Sequence, residues 1–187
     1  TFDKGMDKYK KHIMGDASEE PMPLYIIPDR KVSLADVREG MRNHYEGTEL
    51  SMTNDPGAGA YKVPYRWRPM TFKSEGREYF NERAIATQQT GFVLIAQMRS
   101  WLPDAIGGIL WFGVDDANTA VLTPMYASIT EIPECYRRGN GSMTEFSWTS
   151  AFWIHNWVAN MAYNRYEPMI RDIRPVQKEL EDSYVDL

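Results

Sequence analysis

Between residues 81 and 100 the chain reads NERAIATQQTGFVLIAQMRS, with Arg83, Thr87, Gln88 and Gln89 where a strand favours Val and Ile. Successive side chains of a strand point to opposite faces. On a strand over about 82 to 99, Arg83 shares its face with Ile85, Thr87 and Gln89. Arg is almost never buried unpaired. At a strand entrance it is either exposed or paired with an acid such as Glu82. Alternatively it faces a site, where a guanidinium beside Thr and Gln donors holds a carboxylate or orients a nucleophile. The residues alone weigh these two readings evenly.

Other reactive residues carry less. His12, His44 and His155 are the only histidines, and none stands at ligand spacing from another His or Cys, so they read as core or surface residues. Asp115 and Asp116 are adjacent. In an extended segment they point to opposite faces, so the pair reads as a hairpin turn rather than a shared acid–base site. Cys135 lies in EIPECYRRG, near Arg137 and Arg138 but with no local His, and reads as a loop residue rather than a nucleophile. The glycines of PGAGA and AIGGI fit neither phosphate-loop pattern.

The elements that must position these residues are legible in outline. PLYIIPD reads as a short strand closed by Pro28. SLADVREGMRNHYEG reads as a helix with Ser33 as N-cap, Asp36 completing a capping box, and Gly47 as C-cap. Leu34, Val37, Met41 and Tyr45 fall on one face of it. Residues 51 to 78 are rich in Pro, Gly and Asn and read as a long covering loop. Strands are expected over about 82 to 99, 107 to 114 and 118 to 124, the last two paired as a hairpin. SWTSAFWIHNWVANMAYNRY follows helical steps and is apolar nearly all round, the pattern of a helix buried in a core or interface, broken at Pro168. MIRDIRPVQKELEDSYV reads as a final, more charged helix. This order predicts an α+β fold with an antiparallel sheet covered by helices.

Composition sets limits. With 187 residues, 43% hydrophobic and 25% charged, the chain has the balance of one globular domain. A net charge of −5 and the lack of a long Lys/Arg run argue against nucleic-acid binding. No stretch approaches the roughly 20 apolar residues that span a bilayer. One cysteine excludes an internal disulfide and a cysteine-rich zinc site. The chain begins with Thr, so the natural start is expected upstream and the compartment stays open.

Several longer words are similar to a known family. HYEGTELSMTNDPGAGAYKVPYRWRPM, NERAIATQQTGF, QMRSWLPDAIGGILWFGVDDANTAVLTPMY, ITEIPECY and FSWTSAFWIHNWVANMAYNRY resemble the C-terminal half of the C69 (also U34) dipeptidases, in the family's order, from about residue 24 to 185. The resemblance implies an N-terminal nucleophile (Ntn) hydrolase with a four-layer αββα sandwich. It implies a Cys nucleophile at the mature N-terminus whose own α-amine, with a pKa near 8, is the general base. Oxyanion donors complete that chemistry. The chain departs from the pattern: the nucleophile segment is absent, the family's chains are more than twice as long, and TFDKGMD does not match the nucleophile's surroundings, so Thr1 is not read as the nucleophile. In the related bile-salt and penicillin acylases, an Arg at the entrance of a comparable strand stands near the nucleophile. The resemblance therefore marks Arg83 as the candidate catalytic residue, stabilising a thiolate or binding a carboxylate, with Thr87 and Gln89 as lesser substrate-binding candidates.

The expectation is thus a single domain over 1–187, with a polar excursion at 1–23 and the family-like region at 24–185, from the C-terminal portion of a bacterial-type dipeptidase. The reaction is dipeptide hydrolysis with no metal and no organic cofactor, and this chain alone is inactive. Its partners are a dipeptide, the missing N-terminal part of the same protein and a second copy in a homo-oligomer. Two alternatives stand: a non-catalytic peptide- or partner-binding pseudo-enzyme, and an Ntn amidase acting on a non-peptide acyl amide.

Overall fold

The computed structural model describes residues 7–81 and 83–185. Thr1 and Glu82, weighed above as a hydroxyl nucleophile and as a partner for Arg83, lie outside the described residues. The elements run α1 (Lys10–Ile13), α2 (Leu34–Met41), β1 (Thr71–Ser74), β2 (Arg77–Phe80), β3 (Phe92–Met98), α3 (Asp104–Gly107), β4 (Gly108–Val114), β5 (Thr123–Tyr126), α4 (Ala151–Asn164) and α5 (Tyr166–Val185). β3, β4 and β5 form an antiparallel meander, and β1 and β2 a separate antiparallel hairpin. This is the expected α+β class.

The inner face of the meander makes the core. Val93 and Ile95 of β3 and Ile109 and Trp111 of β4 are buried with Leu122, and α2 covers them with Leu34, Val37 and Met41, joined by Tyr184 of α5. Each fully buried side chain of this size contributes about 1.5–3 kcal/mol. Gly113 permits the packing: a Cβ there would stand 2.9 Å from Leu122 Cδ2. The outer face is covered in part, where Tyr136 packs on Phe112, with ring centroids 5.5 Å apart, and donates to Thr123 Oγ1. Phe92, Leu94, Met98 and Leu110 are exposed on it, and Met98 retains 75% of its accessible area.

α2 forms as its sequence predicts. Ser33 Oγ accepts from the Asp36 N–H, and Asp36 accepts in turn from the Ser33 N–H at 2.8 Å. Arg30 adds a bidentate pair to Asp36, and its guanidinium, with the Ser33 donors, holds that carboxyl well below its usual range. The helix ends at Met41 with Arg42 as C-cap, short of Gly47, because the Asn43 side chain accepts from the Tyr45 N–H and Tyr45 turns to φ 63°.

Several expectations are corrected. β3 starts at Phe92, not near 82. The polar TQQT segment instead closes on itself, with the N–H and Oγ1 of Thr90 both donating to the Thr87 carbonyl at 3.0 and 2.8 Å. Such local bonds compete with a sheet ladder. β5 starts at Thr123, not 118, because Asp116 captures the N–H groups of Thr119 and Ala120 with its side chain and carbonyl. The hairpin of β4 and β5 is present, with Phe112 opposite Thr123. PLYIIPD forms no strand, and Leu24 is 99% exposed. The expected loop over 51–78 contains β1 and the first half of β2, joined through Glu75 and Gly76, both at positive φ as a type I′ turn requires. The long helical run breaks at Arg165 (φ −144°, ψ 55°) rather than at Pro168. Pro168 falls in the first turn of α5, where a missing N–H removes no helical bond. α4 is not buried all round. Ala159, Ala162 and Tyr163 are buried, while Phe152, Trp157 and Met161 stay exposed. No helix among the described residues is long and apolar enough to cross a membrane.

Candidate functional site

The carboxylate of Asp115 sits where β4 ends, and its backbone holds φ 67°. Left-handed backbone is uncommon outside Gly, Asn and Asp and is retained where the surroundings fix it. Here the Asp115 N–H donates to the Gly91 carbonyl at 2.8 Å, while Asp116 is locked from behind. The bend turns the two carboxylates to different environments, in line with the reading that they do not share one site. Asp115 opens on a cleft of about 280 Å³ lined by Trp67, Gln88, Gln89, Asp115, Asn156, Ala159 and Asn160. Asp116 faces the interior.

Three segments bring the cleft walls together. The 87–90 turn presents Gln88 and Gln89, and Tyr65 Oη donates to Gln89 Oε1 at 2.5 Å. α4 presents Asn156 and Asn160, one helical turn apart. Asn160 Nδ2 donates to the Asn156 carbonyl at 2.8 Å, and Asn164 repeats the bond on Asn160. Asn156 Nδ2 donates to Asp115 Oδ1 at 3.3 Å. Burial pushes the Asp115 carboxyl above its usual range, against the opposing effect of Asn156 and the Asp116 N–H. The resulting surface is rich in carbonamide groups around one carboxylate, able to hydrogen-bond a peptide unit and to attract a cation.

Behind the cleft lies a buried polar network. Asp116 Oδ2 accepts from the N–H and Oγ1 of Thr119 at 3.0 and 2.9 Å, and Oδ1 accepts from Tyr163 Oη at 3.1 Å. His44, wholly buried, places Nε2 3.1 Å from the same Tyr163 Oη. Asn118 Nδ2 donates to the Arg42 carbonyl at 2.8 Å and stands 3.2 Å from His44 Nδ1, and Tyr166 Oη donates to Asn118 Oδ1 at 3.0 Å. Burial raises the Asp116 carboxyl and the Tyr163 and Tyr166 hydroxyls above their ordinary ranges. Further out, Glu181 of α5 is gripped by Arg38 at 3.3 Å and by both nitrogens of the Arg42 fork, and accepts from the Leu122 N–H at 2.8 Å. This network fixes the 115–122 segment and, through it, the direction of Asp115.

The residues singled out from sequence are placed as follows. Gln89 lines the cleft. Arg83 and Thr87 do not line it, and without a strand the shared face of Arg83, Thr87 and Gln89 is lost. Arg83 is exposed, with Nη1 3.7 Å from Met70 Sδ and its carbonyl accepting from Tyr45 Oη at 2.6 Å. No ion pair joins it to a carboxylate among the described residues. His155 is satisfied by backbone: Nδ1 donates to the Ala151 carbonyl at 2.8 Å, and Nε2 accepts from the Val121 N–H at 3.4 Å. It is therefore not free to act as base for the half-buried Cys135. A larger hollow of about 560 Å³ between α4, α5 and β5 has mostly aliphatic walls, among them Val121, Ile154, Val158, Val176 and Leu180, and no free polar constellation. Asn156 and Asn160 escaped sequence reasoning, and Asp115 was read only as part of a hairpin turn. A signal was present in the four-residue spacing of Asn156, Asn160 and Asn164 along an otherwise apolar helix.

Known proteins give the cleft a context. The model of peptidase family C69 matches residues 4–179. The chain is 27% identical over 172 residues to the probable dipeptidase B of Lactococcus lactis subsp. lactis, covering 89% of this chain and 31% of that protein. It is 22% identical to dipeptidase A of Lactobacillus helveticus, covering 91% of this chain and 30% of that protein. A probable dipeptidase of Salmonella dublin is 30% identical over 107 residues, or 57% of this chain. The chain thus spans about a third of the length of the curated relatives that it matches over most of its own.

Proposed function

The chain belongs to peptidase family C69, and on that footing we propose that it forms part of a dipeptidase, supplying the substrate-binding flank of the active site. The observation that carries this reading is the carbonamide-lined cleft beside Asp115, whose size approaches that of small-ligand sites. Its Gln and Asn side chains offer donors and acceptors to the single peptide unit of a dipeptide.

In the proposed protein the nucleophile is a cysteine thiol at a mature N-terminus, lying outside these 187 residues, with its α-amine as base. The exposed part of the outer face of the β3–β5 sheet then stacks on a second sheet, about 10 Å away, in an αββα sandwich. Arg83, exposed and free of carboxylate partners among the described residues, binds the substrate carboxylate or steadies the thiolate. Thr87 and Gln89 flank the substrate, Gln89 from the cleft wall. The thiolate attacks the scissile carbonyl, the amine of the second amino acid leaves with a proton, and water hydrolyses the acyl-enzyme. This chain by itself releases no amino acid.

The experiment is amino-acid release from a dipeptide panel, set beside acyl amides, by the full-length protein. Cleavage of dipeptides is expected. Cleavage of acyl amides alone would replace the dipeptidase with an amidase of the same chemistry. In the same protein Arg83→Ala is expected to lower kcat/KM roughly 10- to 100-fold, the loss of a charge-assisted contact. Near-normal activity would remove Arg83 from the site.

A further inference from the structure

The geometry points to Asp115 as the residue that receives the free α-ammonium of the substrate, with Trp67 and the cleft amides completing the pocket. This rests on the dipeptidase reading above and specifies which end of the dipeptide the cleft takes.

Among the described residues Asp115 is the only charged one lining the cleft, and it makes that wall negative. Its one side-chain hydrogen-bond donor among the described residues is Asn156, at 3.3 Å, a long contact for a half-buried carboxylate. No Lys or Arg among the described residues pairs with it. Such a carboxylate gains most from a cation that enters with donors of its own, and an ammonium brings three. The other walls suit that guest. Gln88, Gln89, Asn156 and Asn160 present amide oxygens, and the largely exposed indole of Trp67 presents an aromatic face to a cation. The backbone that carries the carboxylate is held in place: its φ 67° conformation is fixed by the bond to Gly91 on one side and by buried Asp116 on the other.

An anion on a fixed backbone measures length. A dipeptide carries its ammonium one residue from the scissile carbonyl, and a longer peptide extended at its N-terminus carries a neutral amide there. Fixing the ammonium against Asp115 therefore favours substrates with one residue before the cleaved bond. Binding of this sort acts alike on ground and transition states, so it is read in KM.

The test uses the full-length protein, leucyl-leucine as substrate and its des-amino analogue, 4-methylpentanoyl-leucine, as a competitive inhibitor. Asp115→Asn keeps the side-chain shape, and Asn tolerates left-handed backbone, so the fold is retained. The KM for leucyl-leucine is expected to rise roughly 10- to 100-fold, kcat to stay within about threefold, and the Ki of the analogue to be unchanged. Trp67→Leu, at an exposed position, is expected to raise the same KM about threefold. An unchanged KM in Asp115→Asn, or an equal weakening of substrate and analogue, would overturn the assignment while leaving the dipeptidase reading intact. An unsubstituted protein that cleaves no dipeptide would overturn that reading, and this inference with it.

Discussion

Glu181 reaches two arginines because Arg38 and Arg42 stand one turn apart on α2 and face α5 across the edge of the meander. All three side chains are more than nine-tenths buried. A carboxylate withdrawn from water in this way is stabilised only while its partners surround it, and removing one member leaves the others charged and unpaired. Glu181→Gln is therefore expected to lower the unfolding free energy by about 3–5 kcal/mol. Urea denaturation measures it, and a loss below about 1 kcal/mol would show that the arginines find solvent or another partner. None of this was legible from spacing. Helical spacing puts Arg38 and Arg42 beside the face of Leu34, Val37 and Met41 but names no partner, and only the approach of α5, a contact 139 residues away, makes them interior.

At the scale of elements, local chemistry was readable and tertiary capture was not. The Ser33–Asp36 capping box was visible in four residues and is formed as expected. Ser33→Ala is expected to cost about 0.5–2 kcal/mol, with the loss appearing as faster amide exchange in the first turn of α2. Exchange equal to the parent would mean that Arg30 alone holds that end. The β3 assignment failed at its first half for a local reason, the Thr87–Thr90 closure, and alternation alone could not reveal it. The β1–β2 hairpin was missed because Pro and Gly dominate the preceding residues and hid a Glu-Gly turn between two short alternating runs. The cleft was half visible: Gln88 and Gln89 stood out as wrong for a strand, but their partners on α4 were masked by the aromatic residues between them. Arg83 and Gln89, expected on one strand face, are separated because no strand passes through them.

For the molecule as a whole, the outer face of the β3–β5 sheet and the exposed rings on and just before α4 decide behaviour. Phe92, Leu94, Met98 and Leu110 lie on one face, and Phe146, Trp148 and Trp157 cluster on another surface with ring centroids about 5 Å apart. Contiguous apolar area of this kind drives association in water. The isolated 187-residue chain is expected to self-associate, its weight-average mass in sedimentation rising with concentration, and Leu94→Glu is expected to suppress the rise. A monomer at every concentration would mean that the face is covered by its own chain in solution. The segment from Asp115 to Leu122 sets a different constraint. Most of its anchors grip main chain: Arg174 and Gln177 hold the Asn118 carbonyl, Arg42 and Gln177 hold that of Ala120, and Glu181 holds the Leu122 N–H. Connections between strands are ordinarily where proteins gain and lose residues most freely. Here the spelling of several positions can drift but the count cannot, since one residue added or removed would set every anchor against the wrong peptide group.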